Sequence, residues 1–277
     1  MNTVYIGYDP KEDMAYQVLK FSLERIASKP VRVVPIKRDI VKRMGLYRRE
    51  YTTMDGQDYD TIDGRPFSSE FSFTRFLVPF LNMFEGKALY MDCDMYMRTD
   101  VTELFELCDM NYYPLWCTHH KYNPEKGTKM DGKAQEQYRR KNWSSLMMFN
   151  CSHELNKNLT INDVNTKPGR WLHGFEWLSD KESDIGRIPE DWNWLDGHSD
   201  TKLEAKNVHF TTGGPWFEDW QCRGKVDGKY AVEWTNDARW LQANGMVDAE
   251  VDYLITTKKS AEKESHESSV SGITFME

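Results

Sequence analysis

The sequence predicts an α/β fold: one domain on a mostly parallel central sheet flanked by helices. Three observations predict it. Thr3 to Gly7 (TVYIG) is a short apolar, β-rich run. Met14 to Ala27 carries Met14, Val18, Phe21, Leu23 and Ile26 at roughly helical spacing. Val31 to Ile36 (VRVVPI) is a second strand, with Pro35 placing it at an edge or strand end. A β-α-β order at the start of a chain argues for strands in parallel with the helix packed on them.

The remaining elements follow in order. Met44 to Gly64 is polar and turn-rich and reads as an excursion. Phe71 to Phe84 reads as a mostly apolar helix broken by Pro79. Lys87 to Met91 (KALYM) reads as a buried strand, and Asp100 to Leu107 as a short helix that Asp100 or Thr102 can cap. His119 to Asn142 is long and charged and reads as a mobile loop. Ser144 to Phe149 is a strand, a further strand precedes Pro189, and Asn207 to Phe210 is the last. The domain is expected to span 1–255, with 256–277, too polar to bury a core, as a flexible tail.

Composition narrows the function classes. The 277 residues carry 36 Lys+Arg against 44 Asp+Glu, a net charge of −8. That balance argues against broad binding to nucleic acid or an anionic membrane, which need a positive face. The five cysteines (Cys93, Cys108, Cys117, Cys151 and Cys222) form no C-x-x-C pair, so a reducing, cytoplasmic setting is expected. MNTVYIGYDP has no basic or apolar leader region, and no stretch reaches 18 apolar residues, so neither signal peptide nor transmembrane helix is expected.

The strongest local signal is Asp92-Cys93-Asp94, directly after the apolar run Ala88 to Met91. Residues two apart on a strand share a face, so two carboxylates at a strand end offer hard oxygen ligands to a divalent cation. In open α/β sheets that is also where ligands bind. His209 sits in VHFTTGGPW. A neutral imidazole suits Mn²⁺ better than a site built for Mg²⁺ alone, and Gly213 and Gly214 permit close backbone approach to a diphosphate.

These anchors together resemble the GT-A-fold, Rossmann-like glycosyltransferases of family 8, retaining enzymes that use nucleotide sugars. Tyr5 to Pro10 followed by Ala15-Tyr16 resembles that family's nucleotide-binding start. Ser72 to Leu77 is similar to its helix with a donor-binding arginine, here Arg75. Leu89 to Asp94 and then Asp100 to Phe105 resemble its metal strand and following helix, Ser145 to Asn150 its strand lining the donor sugar, and Asn207 to Trp216 its histidine-glycine segment. The resemblance spans about residues 3–220.

The resemblance implies a transferase moving a hexose from a UDP-sugar, less readily a GDP-sugar, to a glycan or other hydroxyl acceptor. It implies Asp92, Asp94 and His209 around Mn²⁺ or Mg²⁺, a Lewis acid for the leaving diphosphate. It implies donor contacts from Gly7, Tyr8, Asp9, Tyr16, Arg75, Cys93, Gly213, Gly214 and Trp216. Two departures stand out. Gly214 occupies the place where the family often carries a diphosphate-binding lysine, which leaves the phosphates to the metal, Arg75, Arg223 or Lys225. The acceptor pocket's acidic-glutamine pair has no clean match; Trp171 to Trp177 stands there. Retention can arise through a covalent intermediate, for which Glu176 and Asp196 are the candidate carboxylates, or through same-face attack. Two rival readings are a non-catalytic glycan-binding protein on this fold and a sugar-1-phosphate nucleotidyltransferase, whose basic Gly-rich first loop is absent from Gly7-Tyr8-Asp9-Pro10.

Other features have plainer readings. Gly127 to Ala134 misses a P-loop, because Ala134 replaces the Ser/Thr and no apolar strand precedes it. His119-His120, the acids Asp55, Asp58, Asp60 and Asp63, and Arg139-Arg140-Lys141 read as solvated loops or faces, the last with the alternative of a mobile basic loop near an anionic donor. Trp192, Trp194 and Trp216 read as core more readily than as sugar platforms.

Overall fold

The computed structural model describes residues 1–109, 111–121, 127–128, 134–135, 140–178, 184–218, 220 and 228–246. The strands are β1 (Asn2–Gly7), β2 (Val31–Ile36), β3 (Tyr51–Met54), β4 (Gln57–Asp60), β5 (Pro66–Phe67), β6 (Lys87–Met91) and β7 (Met95–Met97). They continue with β8 (Leu115–Cys117), β9 (Gly127–Thr128), β10 (Ala134–Gln135), β11 (Leu146–Asn150), β12 (Gly186–Arg187), β13 (Trp194–Leu195) and β14 (Asn207–His209). The helices are α1 (Asp13–Ile26), α2 (Arg38–Arg43), α3 (Val78–Leu81), α4 (Val101–Leu107), α5 (Glu154–Lys157), α6 (Ile161–Thr166), α7 (Gly169–His173) and α8 (Ala231–Ala243).

The central sheet has the order β12-β8-β11-β6-β1-β2. β2, β1 and β6 run parallel, β11 runs against both β6 and β8, and β12 is parallel to β8. Side chains on β1, β6 and β11 alternate between two apolar layers. Tyr5, Tyr90, Met147 and Phe149 meet Phe73 and Phe76 on one face, while Val4, Ile6, Leu89 and Met148 meet Leu19, Leu23 and Phe105 on the other. Both faces are covered, which is why these strands read as continuous apolar runs.

α1 bridges the main sheet to a second, small one. Its Leu19 and Leu23 pack on the main sheet, while Met14, Ala15 and Val18 meet Tyr96, Trp194, Val208 and Trp234. Each fully buried leucine is worth roughly 1.5–3 kcal/mol, so packing on two sides fixes the helix more than its propensity does. The small sheet has the order β13-β14-β7, with His209 opposite Met95. That register delivers His209 beside the turn after β6.

Several sequence expectations change. Phe71 to Phe84 is not one helix: Thr74–Leu77 is a 3-10 turn and α3 starts at Val78, with Pro79 inside its first turn. Proline begins that helix because its missing N–H has no partner to lose there. The expected excursion contains an antiparallel sheet, β3-β4-β5. Asp60, read as solvated, is buried against Arg49 with contacts of 2.9 and 2.5 Å. His119 stacks on Trp143 at 4.1 Å, and burial lowers His120 to about 3, keeping it neutral. Arg140 and Lys141 are buried rather than solvated. Asp100 caps α4 by accepting from the Thr102 N–H. Gly127–Thr128 and Ala134–Gln135 pair antiparallel; most of the expected mobile loop, together with the expected tail at 256–277, lies outside the described residues.

Candidate active site

Asp92 and Asp94 lie in the turn between β6 and β7. The Asp92 N–H donates to the Ser145 carbonyl at 2.9 Å, tying the turn to the start of antiparallel β11. The carboxylate of Asp92 is buried and accepts from the Tyr90 hydroxyl at 2.7 Å. The Arg75 guanidinium lies 2.9 Å from its Oδ1 and also donates to the Phe71 and Ser144 carbonyls. Burial pushes the Asp92 carboxyl above its ordinary range; Arg75 pulls it back, Asp94 pushes it up, and His209 and the Tyr90 hydroxyl pull it down.

Gly7 explains how Tyr90 reaches this position. A Cβ there would collide with the Tyr90 hydroxyl and with the Phe71 ring. Two side chains that hold Asp92 and Arg75 therefore occupy the room beside Gly7.

His209 is buried, with Nε2 3.4 Å from Asp94 Oδ1 and Nδ1 3.0 Å from Asn193 Oδ1. Asn193 donates from Nδ2 to Ser145 Oγ at 2.9 Å, and Ser145 donates to the Asn142 carbonyl at 2.7 Å. This chain presents the Asn193 oxygen to the imidazole, which donates from Nδ1 and keeps the Nε2 lone pair toward Asp94. Asp92, Asp94 and His209 each offer a ligand atom, all within 4.8 Å of one another. Two carboxylates and one imidazole with its second nitrogen held by an outer partner fit a divalent cation.

The three line a cleft of about 1260 Å³, open solvent included. Glu12, Thr211, Thr212, Gly213 and Phe217 line it with them, and Arg75, Ser144 and Ser145 join this part to Phe73, Asp63, Gly169, Arg170, His173 and Lys141. His173 Nδ1 is 2.7 Å from Ser144 Oγ. Burial first, then the charges of Arg75, Lys141 and Arg49, push its pKa well below the imidazole range.

Of the residues expected to touch the donor, Arg75 and Gly213 line the cleft and the others do not. Asp9 accepts from the Lys11 and Glu70 N–H groups, both at 3.0 Å, and so fixes the loop after β1. Tyr8 packs edge-on against Tyr16 at 5.3 Å and donates to Asp13. The Cys93 thiol is buried and points to Glu12, 3.1 Å away. Trp216 is buried against Phe210 and Trp234, and its ring fills the space a Cβ on Gly214 would need. Trp192 and Trp194 are core. Glu176 is exposed and Asp196 is buried, accepting from the Gly228 N–H; neither lines the cleft. Arg223 and Lys225 lie outside the described residues. Sequence reasoning missed Asn193; His173 falls in the Trp171 to Trp177 segment that stands at the acceptor pocket, and Lys141 in the basic run that read first as a solvated face.

No family model matches the chain. It is 42% identical over 239 residues to Protein CDI of Arabidopsis thaliana, covering 84% of this chain and 85% of that protein. Among solved structures it resembles the bifunctional glycosyltransferase WbbM, with a TM-score of 0.54 and 14% identity, over 86% of this chain and 49% of that one. It resembles the glycosyltransferase GlyE of Streptococcus pneumoniae TIGR4, at 0.51 and 14%, over 94% and 64%. It also resembles an active-site mutant of LgtC, at 0.51 and 14%, over 85% and 95%. The chain thus spans about half of WbbM and under two thirds of GlyE. The likeness shows the fold: the GT-A glycosyltransferase fold, with its central mostly parallel sheet between helices.

Proposed function

The chain belongs to the family of Protein CDI, and we propose that it is a metal-dependent glycosyltransferase resembling family 8. In this reading it moves a hexose from a UDP-sugar to a hydroxyl of a glycan or other acceptor, with retention. One observation carries it: Asp92, Asp94 and His209 converge within 4.8 Å on the wall of a cleft, on a fold shared with glycosyltransferases.

Asp92, Asp94 and His209 would hold Mn²⁺ or Mg²⁺, with the imidazole favouring Mn²⁺. Bound there, the cation supplies Lewis-acid stabilisation to a leaving diphosphate. The chain's own residues prepare the site. Arg75 keeps Asp92 charged and aimed. Asn193 fixes the His209 tautomer. Ser144 and Ser145, at the head of β11, floor the cleft beside the metal ligands. Glu176 and Asp196 stand off the cleft lining; of the carboxylates that line it beside the metal ligands, Asp60 is engaged by Arg49, Asp63 accepts from the Arg65 and Gly169 N–H groups, and Glu12 accepts from the Cys93 thiol. We therefore assign retention to same-face attack. The acceptor hydroxyl forms its bond to C1 as the C1–phosphate oxygen bond breaks, and its proton passes to the leaving phosphate.

The test is calorimetric titration of UDP, GDP and a UDP-hexose panel with and without Mn²⁺, followed by NMR of the transferred or hydrolysed sugar. Mn²⁺-dependent UDP binding and a product of unchanged anomeric configuration are expected. No nucleotide binding under any metal would overturn the reading, and an inverted product would overturn the same-face step.

A further inference from the structure

Ser144 stands just before β11 and lines the cleft that holds Asp92, Asp94 and His209. It is held at both of its oxygens. Its carbonyl accepts from the Arg75 guanidinium at 2.8 Å, and its hydroxyl lies 2.7 Å from His173 Nδ1. It is only 2% exposed, so packing limits the staggered rotamers open to it. His173 closes α7 and is held in turn. Its ring centroid lies 6.3 Å from that of Phe73 and 5.1 Å from that of Phe76. Those two rings come with the turn Thr74–Leu77 that carries Arg75. One short turn therefore sets both holds on Ser144.

A serine hydroxyl offers one proton and two lone pairs, and a neutral imidazole one N–H and one bare nitrogen. His173 is neutral, because burial and then the charges of Arg75, Lys141 and Arg49 depress its pKa. Whichever partner donates between Ser144 and His173, the serine oxygen keeps at least one lone pair. Its place in the cleft gives that lone pair a use. Arg75 joins the Ser144 carbonyl to Asp92, and the carbonyl of the next residue, Ser145, accepts from the Asp92 N–H at 2.9 Å. With a diphosphate at Asp92, Asp94 and His209, the group bonded to its outer phosphate is the sugar to be transferred. A sugar there brings hydroxyl donors to this stretch of the cleft.

We propose that Ser144 accepts a hydrogen bond from a hydroxyl of the transferred sugar, and that His173 is the positioning residue that aims it. This rests on the nucleotide-sugar reading of the site. A site built to bond a hydroxyl discriminates against an analogue that lacks it, so the pair acts on the choice of donor sugar and not on the metal.

The experiment is calorimetric titration of wild type, Ser144→Ala, His173→Phe and His173→Asn with UDP, UDP-glucose and UDP-galactose at saturating Mn²⁺. Phenylalanine keeps a ring between Phe73 and Phe76 and removes the nitrogens, whereas asparagine returns an amide to about the place of Nδ1. UDP affinity is expected to be the same in all four proteins. Ser144→Ala and His173→Phe should each lose about two- to tenfold for the tighter-binding UDP-hexose, and His173→Asn should recover it. Among single-deoxy analogues of that hexose, the one that wild type and Ser144→Ala bind equally well names the hydroxyl. An unchanged Ser144→Ala, an equal loss for UDP itself, or no analogue that removes the difference overturns the sugar contact. A loss in Ser144→Ala that His173→Phe does not share overturns the role of His173. Failure of the wild type to bind UDP overturns the nucleotide-sugar reading and this inference with it. If thermal unfolding shows His173→Phe to be misfolded, His173→Gln takes its place. Its longer side chain carries the amide away from the Nδ1 position, so the same loss is expected, and full affinity overturns the positioning.

Discussion

The Nδ1 atom of His209 lies 3.0 Å from the Oδ1 atom of the fully buried Asn193. Because Asn193 donates its amide to Ser145, its oxygen is committed to the imidazole and the tautomer follows. Outer partners of this kind are typically worth 10–100-fold in metal affinity. Asn193→Ala is therefore expected to weaken Mn²⁺ binding by about that factor, read by titration alongside melting to correct for the lost packing. Unchanged affinity would mean that the tautomer is set by something else.

Asp92 and Asp94 should separate by stability. Asp92→Ala leaves Arg75, 7% exposed at its side chain, without its counter-charge, and breaking a buried pair from one side costs about 3–5 kcal/mol. Asp94→Asn removes charge at a half-buried position. Both variants should lose Mn²⁺-dependent nucleotide binding, while denaturant unfolding should show a large loss only for Asp92→Ala. Equal stability of the two would contradict the Arg75 assignment.

Arg49 and Asp60, each 1% exposed at the side chain, tie β4 to the α6–α7 region, because Arg49 also donates to the Val164 and Lys167 carbonyls. Arg49→Met, which leaves the buried Asp60 carboxylate without its counter-charge, is expected to cost about 3–5 kcal/mol near neutral pH. Burial raises the Asp60 carboxyl above its ordinary value even with Arg49 pulling it down. Its contribution is therefore full below the ordinary carboxylate range and is lost as pH rises through the raised value. Acid unfolding should not originate here.

Asp100 behaves in the opposite sense. Slight burial pushes its carboxyl up, but hydrogen bonds from Ser28 and Thr102 outweigh it and lower the value to about 2. Its stabilisation is present above the ordinary carboxylate range and lost as pH falls toward 2. Asp100→Ala should cost about 1 kcal/mol as a lost helix cap, and denaturant titrations between about pH 5 and pH 2 should show wild type and variant converging at the acid end.

Gly7→Ala tests packing against ligand approach. The added Cβ meets the Tyr90 hydroxyl and the Phe71 ring, and overpacking a filled core costs about 1–3 kcal/mol. Displacing Tyr90 should also weaken Mn²⁺ binding through Asp92. A variant of normal stability and Mn²⁺ affinity would show that the room beside Gly7 is slack.

What the sequence determined is local. The apolar runs of β1, β6 and β11 declare strands because both faces of the sheet are covered, and the helical spacing of α1 declares the crossover. Asp92 and Asp94 are legible because two residues of one turn share a neighbourhood in any fold. His209 is legible through its glycine-rich segment. The tertiary structure decided the rest. Asp60 and the Arg140-Lys141 pair read as solvated, because a charge in a polar run looks exposed until its partner is known. Asp60 finds Arg49, and Arg140 finds the Gly174 carbonyl, only when distant segments pack. Asn193 and His173 carry no motif; they enter the site through sheet register and helix placement. Gly7, Asp9 and Tyr8 have structural partners that the sequence does not show: Tyr90, the Lys11 and Glu70 N–H groups, and Tyr16. Spacing along the chain fixes which groups can act together locally. Which buried charge meets which counter-charge depends on long-range contacts, formed when the chain excludes water.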